Sequence, residues 1–187
     1  MASGALPPGF PAVEIEGDHY WDGGLVSNTP LQWVLGSGPR KDTLAFQVDL
    51  WNARGDLPGN LIDIELRQKE IRFSSRTRAA TDSFRHMQSL RRALARLVEF
   101  VPADVLAGAD EDMKRLLGEA DDKVYNVVHL IYRAKRYEGT SKDYEFSRRT
   151  MEEHWKSGYE DAVQTLRHPE ILLRPTSSDG VSTFDLA

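Results

Sequence analysis

A chain of 187 residues with 40% hydrophobic composition is long enough to bury a core as one domain, or one and part of a second. Its net charge of -5 gives no global argument for nucleic acid or membrane. No run approaches the ~18 apolar residues of a membrane span, and the start Met1 to Pro8 has neither the basic head nor the apolar middle of a secretory signal. The absence of cysteine excludes disulfides, thiolate nucleophiles and sulfur-built zinc sites, and is compatible with a reducing, cytoplasmic setting.

The lead-in from Ser3 to Pro11 is rich in proline and glycine and predicts an ordered, partly extended segment without regular structure. Val13-Glu14-Ile15 and His19-Tyr20-Trp21, separated by Glu16-Gly17-Asp18, predict a short hairpin that delivers Asp22 at its exit. Ser27 or Asn28 is placed to cap a short helix with Pro30 in its first turn, running to Leu35 and stopped by Gly36-Ser37-Gly38-Pro39. Thr43 to Leu50 is apolar and predicts a strand buried on both faces. Hairpin, helix and buried strand in succession indicate an α/β sheet.

Composition shifts to Asn, Arg, Gly, Asp and Pro between Trp51 and Gly59, which marks a connection between residues 1–50 and residues 60–187. From Asn60 to about Phe100 the sequence reads as one long helix, or two broken near Ser74-Ser75. Its stripe is Leu61, Ile64, Leu66, Ile71, Phe73, Phe84, Met87, Leu90, Leu94 and Leu97, and Pro102 ends it. A shorter helix is expected over Glu111 to Asp121 and a buried strand over Lys123 to Arg133. A polar loop at Glu138 to Asp143 precedes a helix from Phe146 to His168, with Met151, Trp155, Tyr159, Ala162, Val163 and Leu166 on one side. The tail from Ile171 onward reads as irregular.

Chemistry centres on His19 to Leu31, and within it on Asp22-Gly23-Gly24. An acid followed by two glycines sits on a tight turn that backbone can approach closely, yet such pairs also punctuate ordinary loops. Asp22 could be a helix cap, a turn acid, a metal ligand or a general base. To act as a base it needs a nucleophile within hydrogen-bond reach. No Gly-x-Ser-x-Gly elbow occurs; Gly36-Ser37-Gly38 follows a helix and reads as its stop, and Ser3 fails the pattern. Nor does any glycine-rich loop suit an oxyanion hole. His19, His86, His129, His154 and His168 are scattered without metal-ligand spacing, and His19 and Asp22 diverge in a hairpin, so neither metal nor cofactor is expected.

Charge is uneven. Arg67 to Arg96 carries nine Lys or Arg against two acids, and Arg72, Arg76, Arg78 and Arg85 are the candidates for contact with an anionic surface. Because the cations occur on nearly all sides of the helix, pairing with the acidic remainder of the chain is the simpler reading. A lipid surface ranks below it and nucleic acid is disfavoured.

The segment Ala2 to Pro8, then Val13-Glu-Ile-Glu-Gly17, then Tyr20-Trp-Asp-Gly-Gly-Leu-Val-Ser-Asn-Thr-Pro-Leu31 resembles the closing part of a patatin-like phospholipase domain. Tyr125-Asn-Val-Val-His-Leu-Ile-Tyr132 and Ser147-Arg-Arg-Thr-Met-Glu-Glu-His-Trp155 are similar to an additional C-terminal domain found on a bacterial subset of that family. The resemblance implies an α/β fold: the end of a three-layer core with a mostly parallel sheet over 1–50, a connection at 51–59, and an α-rich extension with one further strand over 60–187. It implies that Asp22 is the general base of a Ser-Asp dyad acting on acyl esters or phospholipids, with Gly23 and Gly24 as its motif backbone. The family's elbow serine and oxyanion segment precede this motif and are absent from these residues, so the chain is expected to be part of a longer enzyme and inactive by itself. Also expected are a cytoplasmic or membrane-peripheral location, and association with a second copy or with an upstream complementing half. The alternative is a non-catalytic module docking on anionic membrane or a protein partner through residues 67–96.

Overall fold

The computed structural model describes residues 1–52, 54–132 and 145–186, without the side chains of 73 and 75–77. A two-stranded hairpin, β1 (Val13–Ile15) and β2 (Asp18–Tyr20), is antiparallel with Ile15 opposite Asp18. Glu16 and Gly17 both take positive φ, 55° and 90°, the two-residue turn that matches strand twist. The lead-in is not wholly irregular, since Ala2–Gly4 forms a 3-10 turn.

Helix α1 (Leu31–Gly36) follows, with Pro30 as its cap residue in place of the expected Ser27 or Asn28. Strand β3 (Thr43–Asp49) then pairs in parallel with β4 (Tyr125–Ile131), and β4 in turn with β5 (Val181–Asp185), giving the order β3-β4-β5. The molecule is a mixed α/β structure with a parallel three-stranded sheet. Between β3 and β4 run α2 (Leu61–Val98), α3 (Ala103–Ala107) and α4 (Glu111–Leu117); between β4 and β5 lie α5 (Arg148–Leu166) and a 3-10 turn at Pro169–Leu172. The expected polar loop at Glu138 to Asp143 and the residue Arg133 lie outside the described residues.

The core sits where α1 and α2 cover one face of the sheet. Leu31 and Leu35 of α1 and Phe84 of α2 pack on Tyr125, Val127 and Val181, with Ala45 at the margin. Phe84 meets Tyr125 edge to face at 4.9 Å between ring centroids. Burial pushes the Tyr125 phenol up to about 12, and its hydroxyl donates to Asp121 Oδ2 at 3.2 Å. On the opposite face, Asn126 Nδ2 donates to the carbonyls of Ile171 and Leu173 at 2.6 and 2.8 Å, which ties the turn after α5 to the central strand.

Helix α2 is continuous over 38 residues, so the break considered near Ser74-Ser75 does not occur. Ser74 instead donates its hydroxyl to the Glu70 carbonyl one turn back. Asn60 caps the helix by accepting from Asp63 N at 3.0 Å.

Three further expectations are corrected. Strand β3 is not buried on both faces: Leu44, Phe46 and Val48 are exposed, because among the described residues β4 is its one strand neighbour and no helix covers that side. The apolar stripes of α2 and α5 do not define their inner faces. Ile64, Ile71, Met87, Leu90 and Leu97 are exposed on α2, and Met151, Trp155, Tyr159 and Leu166 on α5. The sides turned inward carry Thr81, Phe84 and Gln88 on α2 and Thr165 on α5, all buried. On α2 polar contacts to strand-end backbone select that side: Gln88 Nε2 donates to the Lys123 carbonyl at 2.9 Å and Arg92 Nη1 to the Asp122 carbonyl at 2.7 Å.

The tail, thirdly, is not irregular. It forms β5, introduced by a turn in which Gly180 N donates to the Ser177 carbonyl and Asp179 Oδ1 accepts from Val181 N. Gly180 has φ of 69°, and a Cβ there would stand 2.7 Å from Arg92 Cδ, so the position tolerates no side chain without displacement.

Candidate functional site

The hairpin β1-β2 delivers Asp22 into a turn built from backbone. Asp22 N donates to the Ala5 carbonyl at 3.0 Å, which anchors the turn to the lead-in. Its carboxylate Oδ1 accepts from Gly24 N at 2.7 Å and so caps a short 3-10 turn at Gly23–Leu25. Val26 N and Ser27 N both donate to the Gly23 carbonyl, closing the loop toward α1.

The two glycines differ. A Cβ on Gly24 would lie 3.1 Å from Asp22 Oδ1 and 3.6 Å from Asn28 Oδ1, whereas one on Gly23 would meet nothing within 4 Å. The close approach of backbone to carboxylate therefore depends on Gly24. Asp22 is partly buried, and among the described residues no serine or threonine hydroxyl hydrogen-bonds to it. His19 is exposed on β2, and among the described residues no three His, Cys, Asp or Glu side chains are gathered for a metal.

The arginines of α2 fall into place differently from a free basic face. Arg67 pairs with Glu70 at 3.0 Å, Arg78 with Asp185 at 3.6 Å, Arg85 with Asp179 at 3.5 Å and Arg91 with Glu119 at 2.9 Å. The Arg91 hydrogen bond, reinforced by Arg40, holds the Glu119 carboxyl below its ordinary range. Arg72 is exposed, and the Arg76 side chain lies outside the described ones. No described helix is long and apolar enough to cross a membrane.

One grouping was invisible in the sequence. Gln47, His129 and Asp185 stand opposite one another in the sheet register, on the face that α1 and α2 cover. The signal that could have exposed it is polar residues at alternating positions of otherwise apolar strands, but reading them as a row requires knowing that the tail forms β5.

Comparison with known families bears on the Asp22 turn and on the rest of the chain together. A family model described as patatin phospholipase matches residues 71–178, more than half the chain, and a second, for patatin-like phospholipases, matches residues 1–35. The chain belongs to the patatin-like phospholipases. The two matches flank the proline- and glycine-rich connection, and the Asp22 turn lies inside the first 35 residues. No curated protein and no solved structure matches this patatin-like chain. Family membership makes it part of a lipid hydrolase family, for which a lipid is the substrate class.

Proposed function

We propose that Asp22 is the general base of a Ser-Asp dyad in a lipid acyl hydrolase, and that its serine comes from outside these 187 residues. The observation that carries this reading is the Asp22-Gly24 turn. It fixes one carboxylate oxygen on a backbone amide in the stretch matched by the patatin-like phospholipase model. A carboxylate so held can take the proton from a serine hydroxyl as the oxygen attacks an acyl carbonyl, and return it to the departing alcohol. No Gly-x-Ser-x-Gly stands in the sequence to provide that hydroxyl. In this reading residues 1–50 are the end of the hydrolase core, 51–59 the connection, and 60–187 an extension whose strands β4 and β5 complete a sheet with β3.

The test is twofold. The purified chain alone should hydrolyse no p-nitrophenyl ester. In a longer protein that carries the elbow serine, Asp22→Asn should lower kcat by about 10²- to 10⁴-fold, the usual worth of a positioned base. Turnover by the isolated chain, abolished by Asp22→Asn, would overturn the missing-serine reading. Docking on anionic membrane through residues 67–96 would compete with the pairs made by Arg78, Arg85 and Arg91. Flotation is expected to show no preference for anionic over neutral vesicles.

A further inference from the structure

The carboxyl ends of the three parallel strands carry polar side chains on the face covered by α2. In parallel pairing, residues opposite one another project to the same side, so Gln47, His129 and Asp185 form one row. Between β4, β5 and α2 lies a cavity of about 250 Å³ lined by Arg78, Asp82, Arg85, His129, Thr183 and Asp185, among others. None of its lining residues belongs to the Asp22 turn. Ligands of open α/β sheets settle at this end of the strands.

Two buried atoms here lack a hydrogen-bond partner: His129 Nε2, on a side chain 5% exposed, and Arg85 Nε. Such atoms are rare in folded proteins, and each asks for a partner. Arg85 Nη2 donates to Thr183 Oγ1 at 2.9 Å, but its Nε stands 3.5 Å from Asp179 Oδ2 without making a hydrogen bond. Arg78 holds Asp185 at 3.6 Å, also longer than a good hydrogen bond. A guanidinium only donates, so what completes Arg85 must be an acceptor. Burial disfavours the charged form of His129, and a neutral imidazole can present a donor at Nε2. An apolar ligand would leave both atoms unpaired. A metal ion would face two guanidiniums.

We propose that this cavity is a binding site for a small phosphate group, seated between the guanidiniums of Arg78 and Arg85 and the Nε2 of His129. The acids refine the choice among oxyanions. Asp185 and Asp179 hold the two arginines in position, while Asp82 offers an acceptor that repels a fully ionised oxygen and accepts from a protonated one. A phosphate that retains a proton satisfies all four groups; sulfate does not. Every lining side chain but Ile131 is polar or charged, so a lipid ligand would enter by its head group and not by an acyl chain.

Titration of the 187-residue chain with inorganic phosphate, followed by amide NMR, tests the site. Saturable binding is expected with Kd near or below about 1 mM, with shifts confined to residues 78–85, 129–131 and 183–185. Sulfate should bind about tenfold or more weakly. Arg85→Lys keeps the charge and loses the Nε donor, and should weaken phosphate binding about tenfold. Arg78→Gln, at a side chain 48% exposed, should do the same without threatening the fold. Dihexanoyl phosphatidic acid binding about tenfold tighter than phosphate would identify a lipid head group as the source, and equal or weaker binding the free ion. No saturation by about 50 mM phosphate, binding indifferent to both variants, or sulfate binding as well as phosphate would overturn the proposal. The outcome is independent of the Asp22 dyad, whose failure would appear in ester hydrolysis and not here.

Discussion

Asp22, the proposed base, and His129, buried in the central strand, have surroundings that differ in kind. Asp22 is held by backbone, partly buried, one oxygen on Gly24 N. The turn itself was legible in the sequence, because Asp-Gly-Gly closes it locally; its anchor on the Ala5 carbonyl and the unequal weight of the two glycines required coordinates. His129 is buried among groups contributed by other elements: Asp49 of β3, Asp185 of β5 and Arg78 of α2. Burial is the largest influence and lowers its pKa from the ordinary 6.5, against the pull of the two aspartates. The folded chain therefore binds fewer protons than the unfolded chain once pH falls through 6.5, and stability declines from there down to the folded-state value. The carboxylates held low, such as Glu119 and Asp122, begin from ordinary values of 4.5 and 3.8 and lose their contribution only at lower pH. Urea midpoints measured from pH 7.5 to 5 should fall, and His129→Gln should flatten that slope. An unchanged slope would remove His129 as its origin.

At the scale of elements, ends were easier to read than faces. Asn60 caps α2 and Pro102 stops the chain soon after it, both through local chemistry, so the helix stands close to where the sequence placed it. Its inner face could not be read from apolar spacing. Thr81, Phe84 and Gln88 face inward because the strand ends beneath α2 expose carbonyls that Gln88 and Arg92 satisfy. Strand β5 was missed for a related reason: five residues after a Ser-Ser-Asp-Gly turn carry little pattern, and they become a strand because β4 offers an edge. Phe84 is the point where α2 reaches the core. Phe84→Ala should cost about 3–5 kcal/mol, through lost transfer energy and the cavity left against Tyr125. Thermal unfolding should fall by roughly 2–4 °C for each kcal/mol lost, whereas Leu97→Ala, at a position 61% exposed on the same helix, should change it little.

For the whole molecule, the sheet is covered unevenly. β4 is buried along nearly its whole length, while β3 has one edge unpaired among the described residues and an exposed face of Leu44, Phe46 and Val48. An uncovered apolar edge strand is a template for association. The chain should therefore sediment with concentration-dependent mass, and Val48→Lys, at a side chain 70% exposed, should reduce that association while leaving the unfolding midpoint unchanged. Equal association by the variant would locate self-contact elsewhere, as at the outward stripe of Met151, Trp155 and Tyr159 on α5.

The central position of β4 also has a consequence in time. Neither of its neighbours is near it in the chain: Asp42, at the entry to β3, accepts from Val124 N across 82 residues, and β5 arrives only at the far end. No strand of this sheet can be tested against another by a local hairpin, so the helices can form before any strand finds its partner, and loop closure limits the rate. During that interval β4, the most apolar strand, waits with both edges open. How often the chain folds as opposed to aggregating is then decided in that search, by the speed with which α2 and α5 carry β3 and β5 to it.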